Sequence, residues 1–490
     1  MSTDTVENHR LSAWIAEALD AETPTAPQIL KHDLQADVCI VGGGFTGLWS
    51  AIEIKTARPE TEVVLIERLL CGSGASGRNG GFVLSLWAKF ESLAKMCGQD
   101  EALRLCQRSS QAIADLQAFC LRHGIDAEMR LDGWLWAATA RPQIGAWDST
   151  VDTLAALGQH PFERLAPDEV ARRSGSAQHL AGVFEAASAT LQPARLARGL
   201  MRHALSLGVK IFEHSPMVRL QRDRPATVHC AQGRVQAQQV ILAMNAWSAR
   251  FAELRKAFVL VSSDVVMTHP VPDLLHDIGW NNGMSISDSR MLVHYYRTTP
   301  DGRIVFGKGG GSEDLIYGGQ LGQQLDGPSQ IADTVRTHLC RLYPALQASD
   351  MATHWTGPID RTRNGLPHFG ALPGTPNVFY AIGYSGNGVG PSMLGGKILA
   401  ALALGLDNEW AHCGLVKPLR RDFPPEPLRY WGGRLVRQAV GQIDRAADLD
   451  QPAPWLARQL SRLAPAGLSP TTSSTPITPA PARPAPRTPG

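Results

Sequence analysis

The sequence predicts an α/β fold: a discontinuous, doubly wound domain and a second domain built on a mixed or antiparallel sheet. Residues 36–67 show a strand, a glycine turn, a helix and a second strand, and residues 377–404 again show a strand, a glycine loop and a helix. Between these regions, residues 257–312 alternate in polarity as antiparallel strands do. Parallel strands joined by a helix are typical of doubly wound folds, so the two outer regions form one domain and the middle region forms the other.

The first unit of the doubly wound domain is complete in the sequence. "ADVCIV" at 36–41 is an apolar run of buried-strand length, and the helical spacing of "FTGLWSAIEIKTA" ends at Arg58-Pro59. "EVVLIE" at 62–67 is a second buried strand. A short amphipathic helix is predicted at 8–20, before this unit.

The middle of the chain is less regular. Residues 90–215 are mostly helical in pattern, with a strand pair expected around 127–139, and residues 217–248 predict a meander that ends in a buried strand. "MLVHYYRTTPDGRIVFG" at 291–307 predicts a hairpin that turns at Pro300-Asp301-Gly302.

These patterns divide the chain into eight segments. We expect an N-terminal helix and connection (1–35), three parts of the doubly wound domain (36–90, 191–250, 351–410), two parts of the substrate domain (91–190, 251–350), a C-terminal helical extension (411–463) and a Pro/Ser/Thr-rich disordered tail (464–490).

Composition excludes several classes of protein. The chain of 490 residues has a formal net charge of +2, so no overall field favours nucleic acid. Its eight cysteines show no CxxC pair and no metal-ligand spacing, which predicts reduced thiols and no metal site. No signal sequence is recognisable, and no run approaches the ~18 apolar residues of a membrane span.

The glycine turn of the first unit has the spacing of a dinucleotide site. Gly42, Gly44 and Gly47 permit a tight turn, a close approach of backbone to pyrophosphate and close packing of helix on strand. Phosphates then meet the free N–H groups at the helix N-terminus, beginning with Phe45 and Thr46. Glu67 ends the second strand, where a carboxylate accepts from a ribose hydroxyl.

Two further glycine loops distinguish between dinucleotides. Glu67 is followed by Arg68 and then by "GSGASGRNGGF" at 72–82, and "GYSGNGVGPS" lies at 383–392. A flat, broad isoalloxazine needs backbone without Cβ against it, and its electron-rich edge needs N–H donors. The loops therefore favour FAD over NAD, although the second alone also fits an ordinary strand-to-helix turn.

At these residues the chain resembles the FAD-dependent amine and amino-acid oxidase family that includes glycine, sarcosine and D-amino-acid oxidases. Its second motif is similar to that of γ-glutamylputrescine oxidases and aminophosphonate-linked bacterial members. The resemblance covers most of residues 36–405 and implies a glutathione-reductase-like FAD-binding domain. Beyond the βα turn, Glu67 and Arg68, it implies cofactor contacts at Ala75, Ser76, Arg78, Asn79, Gly80, Gly81, Val218, Asn245, Trp247, Gly386, Asn387, Gly388 and Val389.

The chain also departs from this family. Gly390 and Pro391 stand where sarcosine-oxidase-like members carry a lysine that holds the substrate carboxylate, which argues against a simple α-amino acid. Neither a histidine within the second motif nor a cysteine at 359–364 is present, so we expect non-covalent FAD.

The resemblance implies hydride transfer from the carbon beside an amine nitrogen to flavin N5, followed by imine hydrolysis. The substrate candidates are Tyr295, Tyr296 and Arg297, of which Tyr295 and Arg297 share one strand face. Arg297 pairs with a carboxylate or phosphonate, or is a surface arginine. Catalytic candidates are Lys308 and His368, each of which also fits a structural residue.

These residues predict a cytoplasmic bacterial amine oxidase that reduces oxygen to hydrogen peroxide. Two alternatives stay open: a same-fold dehydrogenase that passes electrons to quinone, and a non-catalytic flavin-binding assembly protein. The basic, Trp-containing helices at 429–463 either pack on the flavin domain or contact a partner or membrane surface.

Overall fold

The computed structural model describes residues 11–24, 26–309, 315–317 and 327–467. Its α-helices, numbered here in chain order, are α1 Ala13–Asp20, α2 Phe45–Ala57, α3 Phe90–Cys97, α4 Gln99–Arg122, α5 Asp148–Ala156, α6 Pro167–Ser174, α7 Pro193–Ser206, α8 Pro272–Asp277, α9 Ala332–Leu342, α10 Pro391–Leu404, α11 Leu428–Asp448 and α12 Trp455–Ser461. The strands are β1 Leu34–Val41, β2 Val63–Ile66, β3 Phe82–Val83, β4 Trp134–Ala138, β5 Glu163–Leu165, β6 Ala181–Glu185, β7 Ala189–Thr190, β8 Lys210–Phe212, β9 Arg219–Gln221, β10 Ala226–His229, β11 Arg234–Leu242, β12 Phe258–Thr268, β13 Ser285–Asp288, β14 His294–Thr298, β15 Ile304–Lys308, β16 Met351–Thr362, β17 His368–Leu372 and β18 Thr375–Ile382.

The first sheet is the predicted doubly wound one. Its strands run in the order β17-β18-β11-β1-β2-β8, and β18, β11, β1, β2 and β8 are mutually parallel. The helix predicted at 45–57 is observed as α2, and the predicted meander is observed as the antiparallel strands β9 to β11. The four residues of β2 are buried, as a central parallel strand requires.

The second sheet has the order β16-β12-β15-β14-β13-β4-β6-β5 and is antiparallel except for the β4–β13 pair. The predicted hairpin is the β14–β15 pair, in which Thr298 lies opposite Ile304. Two details differ from the expectation. Residues 127–139 contain the single strand β4, whose partners are the distant β6 and β13. β16 falls inside the segment expected to begin the last part of the doubly wound domain, yet it pairs along its length with β12 and belongs to this second sheet.

The helices α1 and α11 both pack on the body of the protein. Trp14 of α1 is fully buried, and its indole Nε1 donates to the carbonyl of Asn79, 3.0 Å away. Asp444 of α11 accepts hydrogen bonds from the backbone N–H groups of Met291 and Leu292. This face of α11 therefore packs on the protein, but through the loop between β13 and β14 of the second sheet and not through the flavin domain that was predicted. Trp431 and Trp455 are 60% and 66% exposed, so contact with a partner or membrane stays a prediction.

Residues 468–490 of the predicted tail, and residues 8–10 of the predicted N-terminal helix, lie outside the described residues. Among the described residues, no helix combines the length and apolar character needed to cross a bilayer.

Candidate active site

One cavity of about 640 Å³ lies between the two sheets and contains most of the predicted cofactor residues. Its volume is typical of a site for a small molecule or cofactor. The carboxyl ends of β1 and β2 open into it at Val41 and Ile66, as expected for ligand sites of parallel sheets. Three glycine-containing segments, 42–47, 74–80 and 386–389, supply one wall.

The βα turn has the geometry that the glycine spacing predicts. Gly42 has φ +112°, a backbone conformation that favours glycine, and a Cβ on Gly47 would overlap the carbonyl oxygen of Gly42. Gly44 is the N-cap of α2 and offers no side-chain cap. The N–H of Phe45 donates to Ser76 Oγ at 2.9 Å. Ser76 therefore meets the positive end of α2, where a phosphate would also bind.

Glu67 lies beside this turn and fixes it. Its carboxylate accepts from the N–H groups of Gly43 at 2.8 Å and Leu69 at 3.0 Å. Burial raises the pKa of the Glu67 carboxyl, while these two hydrogen bonds oppose the shift. The side chain thus holds both the turn that contains Gly43 and the segment that contains Leu69, and it lines the cavity where a ribose is predicted.

The loop at 75–81 is held rigidly from below. Asn79 donates to the carbonyls of Ala75 and Ser76 and accepts from the N–H of Gly81. The buried Arg78 guanidinium donates to the carbonyl oxygens of Ser73 at 2.9 Å and Thr356 at 3.1 Å. Both side chains line the cavity, but these contacts show that they also fix the glycine backbone on which a flat ring would lie.

The glycines of this loop have different tasks. A Cβ on Gly80 would lie 2.9 Å from the ring of Tyr295, whereas Gly81 has φ +76° and faces the carbonyl of Leu191. Gly47 and Gly81 are not among the residues that line the cavity; they permit close packing behind it.

The end of the cavity near Glu67 is aromatic and basic. The Arg68 guanidinium stacks over the Trp247 ring at 4.9 Å, and both side chains line the cavity. Asn245 has φ +47°, and its Nδ2 donates to Asp360 Oδ1 at 2.9 Å.

Val218, predicted to offer its backbone to adenine, is not in the cavity wall. Its N–H donates to the carbonyl of His229 and its own carbonyl accepts from the Arg250 guanidinium, so both backbone groups already have partners within the protein. The neighbouring residues 215–217 line the cavity instead.

The loop at 386–389 completes the glycine-containing wall. Asn387 Nδ2 donates to the carbonyl of Ser85 at 3.1 Å, and Thr46 Oγ1 donates to the hydroxyl of Tyr384 at 2.9 Å. These bonds connect the loop to the segment that follows the glycine loop at 75–81 and to the first turn of α2. The four predicted residues Gly386, Asn387, Gly388 and Val389 therefore face the same cavity as the dinucleotide turn.

The three substrate candidates on β14 separate in the structure. Tyr295 lines the cavity and its hydroxyl lies 2.8 Å from Ser263 Oγ; burial raises the pKa of this phenol to about 12. Tyr296 points the other way, into an apolar cluster, and its hydroxyl bonds to His179 Nε2. It does not reach the cavity.

Arg297 shares the face of Tyr295, as predicted, yet it also does not line the cavity. Its guanidinium is 2% exposed and donates to the carbonyls of Gly80 and Leu191, each at 2.7 Å. It stacks over Trp14 at 5.0 Å. With these contacts, Arg297 supports the backbone of the loop at 75–81. The side chain is therefore neither a substrate contact nor an exposed surface arginine, and both expectations are corrected.

The catalytic candidates are also outside the cavity wall. Lys308 ends β15, opposite His294 and Asp264, and is 9% exposed. His368 begins β17, and its Nε2 lies 3.2 Å from Asn364 Oδ1; burial lowers its pKa to about 4. A neutral, packed imidazole fits the structural interpretation of His368.

Several residues that line the cavity were not predicted from the sequence. Asp360 accepts from Asn245 Nδ2 and from the N–H of Gly383, and burial raises its pKa to about 7. The basic side chains Lys89 and Arg361, and residues 428–440 and 463–467 of the C-terminal extension, complete the wall. A carboxylate next to an arginine in the apolar strand at 355–361 was a detectable signal, but nothing local indicated that the extension returns to the site.

Comparison with known proteins identifies the cofactor. A family model described as "FAD dependent oxidoreductase" (DAO) matches residues 37–402. The chain belongs to this family. The probable oxidoreductase OrdL of Haemophilus influenzae is 29% identical over 433 residues, which cover 86% of this chain and 93% of that protein. Gamma-glutamylputrescine oxidoreductase of Escherichia coli is 28% identical over 379 residues, covering 77% of this chain and 85% of that protein.

Solved structures confirm the fold class. Glycine oxidase from Geobacillus kaustophilus superposes with a TM-score of 0.62 at 22% identity, over 79% of this chain and all of that one (100%). L-proline dehydrogenase from P. horikoshii has a TM-score of 0.63 at 17% identity, over 77% and 95%. An oxidase and a dehydrogenase thus share the fold, and the likeness does not separate the two activities.

The residues of this oxidoreductase fit FAD. A side chain on Gly44 or Gly80 would fill the wall, because a Cβ would lie 2.9 Å from Ser76 Oγ or from Tyr295, respectively. The uncapped helix start suits a pyrophosphate, and residues 386–389 with Gly80 offer bare backbone to a ring. Glu67, Ser76 and the N-terminus of α2 would hold the dinucleotide half, and Gly80 and Gly386 to Val389 the flavin half.

Proposed function

We propose that this FAD-dependent oxidoreductase oxidises the carbon–nitrogen bond of a small amine, which carries a carboxylate or phosphonate in the favoured case. Bound FAD supplies the hydride acceptor, and water then hydrolyses the resulting imine to a carbonyl compound and an amine or ammonia. The observation that carries the proposal is the cavity itself. The residues predicted to hold the flavin line one part of it, and residues that are not predicted to contact the cofactor line the rest, which leaves space for a substrate beside the flavin. The relatives named glycine oxidase and gamma-glutamylputrescine oxidoreductase support an amine as substrate.

The chain contributes position, exclusion of water and electrostatics to this reaction. Val259, Val261 and Ile359 of the second sheet give the cavity apolar surface, with Ile359 beside Gly386, and Tyr295 of the same sheet adds an aromatic ring to this wall. Hydride leaves only a carbon next to an unprotonated nitrogen. Burial and the positive charges of Lys89 and Arg361 both disfavour an ammonium ion in this space, so they favour the reactive neutral amine.

Two finer points belong to the same proposal. FAD is held without a covalent bond, since no cysteine or histidine is found among the described residues of the cavity wall. Oxygen is the electron acceptor and hydrogen peroxide the product, which the relatives named oxidase support. Transfer to a quinone is the alternative.

The test is anaerobic mixing of the yellow holoenzyme with primary and N-methyl amines, amino acids, polyamine conjugates and aminophosphonates. We expect at least one class to bleach the flavin band near ~450 nm, and admission of air to restore it with release of peroxide. If dithionite bleaches the flavin and no amine does, the chain binds flavin without this activity. Reoxidation by a quinone analogue but not by air would replace the oxidase with a dehydrogenase.

A further inference from the structure

Four of the cationic side chains that line the cavity differ in whether a carboxylate neutralises them. Arg290 and Arg429 are neutralised: Arg290 Nε lies 2.9 Å from Asp288, and Arg429 lies 2.6 Å from Glu426. Lys89 and Arg361 differ, because neither has a carboxylate within ion-pair distance in the part of the chain that the structure describes. Lys89 and Arg361 therefore bring positive charge into the cavity that no described carboxylate balances at ion-pair distance.

Both charges have unused donors. Lys89 is 9% exposed and donates to the carbonyl of Gly467, and Arg361 donates to the carbonyl of Ala466 at 2.9 Å. An ammonium has three donors and a guanidinium five, so one neutral acceptor each leaves most of them free for a ligand. Burial and repulsion by Arg361 lower the pKa of Lys89 to about 7, as expected for a cation without a counterion.

The two carbonyls belong to a segment, residues 462–467, that we call the C-terminal strap. Its Leu463, Ala464, Pro465 and Gly467 line the cavity, and the Ala466 N–H donates to the carbonyl of Arg363 at 2.9 Å. The strap thus runs along the wall beside Lys89 and Arg361 and holds both side chains with neutral oxygen atoms. A carboxylate or phosphonate in the cavity would supply the negative charge that the strap lacks.

The pair lies on the flavin side of the cavity, away from the phosphate cradle. Lys89 is four residues after Ser85, whose carbonyl accepts a hydrogen bond from Asn387 of the loop at 386–389. Arg361 follows two residues after Ile359, whose Cδ1 lies 3.7 Å from a Cβ placed on Gly386. The cofactor phosphates are expected instead at Ser76 and the start of α2, so the pair is available to a substrate.

We propose that Lys89 and Arg361 form a subsite for the oxyanion, carboxylate or phosphonate, at the end of the substrate remote from the reacting amine. This rests on the proposed function and deepens it, and it assigns to two other cations the anion contact that was predicted for Arg297. Charge-assisted hydrogen bonds from both side chains would hold the oxyanion, with Arg361 able to bind it through two N–H groups.

The test measures binding without turnover. The oxidised holoenzyme is titrated with butyrate, propylphosphonate and the neutral 1-butanol, and the flavin difference spectrum is recorded. We expect saturable changes with the two anions and none with butanol at the same concentrations. Lys89→Met and Arg361→Met should each weaken anion binding by about 10- to 100-fold, whereas Lys89→Arg should stay within about 5-fold of the wild type.

Lys210→Met is the matched control, because Lys210 is exposed on β8 and pairs with Glu62 far from the cavity wall. It should leave anion binding unchanged. Butanol binding as tightly as butyrate to the wild type would overturn the subsite without any variant. Unchanged anion affinity in FAD-loaded Lys89→Met and Arg361→Met would overturn it as well. The titration needs no amine oxidation, so its failure and failure of the amine panel are separate results.

Discussion

The two walls of the cavity are built in opposite ways. The cofactor wall consists of short, glycine-containing segments, each next to a strand or helix of its own sequence region. The substrate wall brings together residues 89, 361 and 463–467, which are hundreds of positions apart, and presents charged and apolar side chains. The first wall fits a ligand of fixed shape. The second can change by exchange of side chains, which is where substrate choice is expected to lie.

The supports beneath the walls differ as well. Under the cofactor wall, Arg78, Asn79 and Arg297 donate to loop carbonyls, so the backbone is fixed by buried hydrogen bonds. The substrate wall depends on α11, which is attached through the ion pair of its Asp448 with Arg290, a side chain that Asp288 also holds. Damage to the first wall should therefore remove the cofactor, and damage to the second should change ligand preference.

The largest effect is expected from Gly47→Ala. Because the new Cβ overlaps the Gly42 carbonyl, α2 must move away from β1 and the phosphate-binding turn is distorted. We expect protein that folds poorly or carries less than about a tenth of the wild-type FAD, measured as the ratio of flavin to protein absorbance. Gly441→Ala, on α11 with open space around its Cβ, is the control and should retain FAD. Full FAD content in Gly47→Ala would contradict the predicted turn.

A substantial loss of stability is expected from Arg297→Met. The change leaves the carbonyls of Gly80 and Leu191 buried without donors, at a cost of about 1–3 kcal/mol each. Denaturant unfolding of the holoenzyme should show a stability loss of about 3 kcal/mol, with the preference for anionic ligands unchanged. Arg202→Met, exposed on α7, should cost little. A stable Arg297→Met variant that no longer distinguishes butyrate from butanol would return Arg297 to the substrate site.

A smaller, pH-dependent effect is expected from Asp360. Its folded pKa of about 7 lies above the ordinary value of 3.8, so between these values the folded state binds more protons than the unfolded state. Stability must then fall as pH rises through this window, by at most about 1.4 kcal/mol per pH unit. Asp360→Asn should flatten the slope between pH 5 and 7 in denaturant titrations. Glu185, whose pKa burial also raises to about 7, contributes the same sign in both proteins and cancels in the difference. Identical slopes would show that Asp360 does not prefer the protonated form.

The smallest effect is expected from removing the strap. A variant ending at residue 461 loses the acceptors of Lys89 and Arg361, whereas a control ending at residue 467 keeps them. Since the strap is hydrogen-bonded to Lys89, Arg361 and Arg363, the shorter variant should keep its FAD and change butyrate affinity by a few-fold, about 2 to 10. Equal butyrate affinity in the two truncations would show that the strap does not shape the subsite.

The predictability of the molecule follows the same division. Gly42, Gly44, Glu67 and the loops at 72–82 and 383–392 could be predicted because a glycine spacing next to a strand has few other uses. Tyr296 and Arg297 could not be placed correctly, because strand alternation gives the face of a side chain but not what covers that face. Lys89 gave no signal, and Arg361 gave only its position next to Asp360 in an apolar strand. A lysine in a 3₁₀ turn and an arginine in a strand are common surface residues. Only the three-dimensional structure shows that the strap lies beside both side chains and that they line one cavity.

Anaerobic stopped-flow reduction of the bound flavin by matched amines tests the two-wall account most directly. The pairs are 4-aminobutyrate with butylamine, and 4-(methylamino)butyrate with N-methylbutylamine, each at subsaturating concentration with wild type and Lys89→Met. The account predicts that the acid-bearing member of at least one pair reduces the wild-type flavin about 10-fold faster, and that Lys89→Met loses this advantage while still reacting with the neutral amine. Equal rates within both pairs, or an advantage that survives in Lys89→Met, would contradict it.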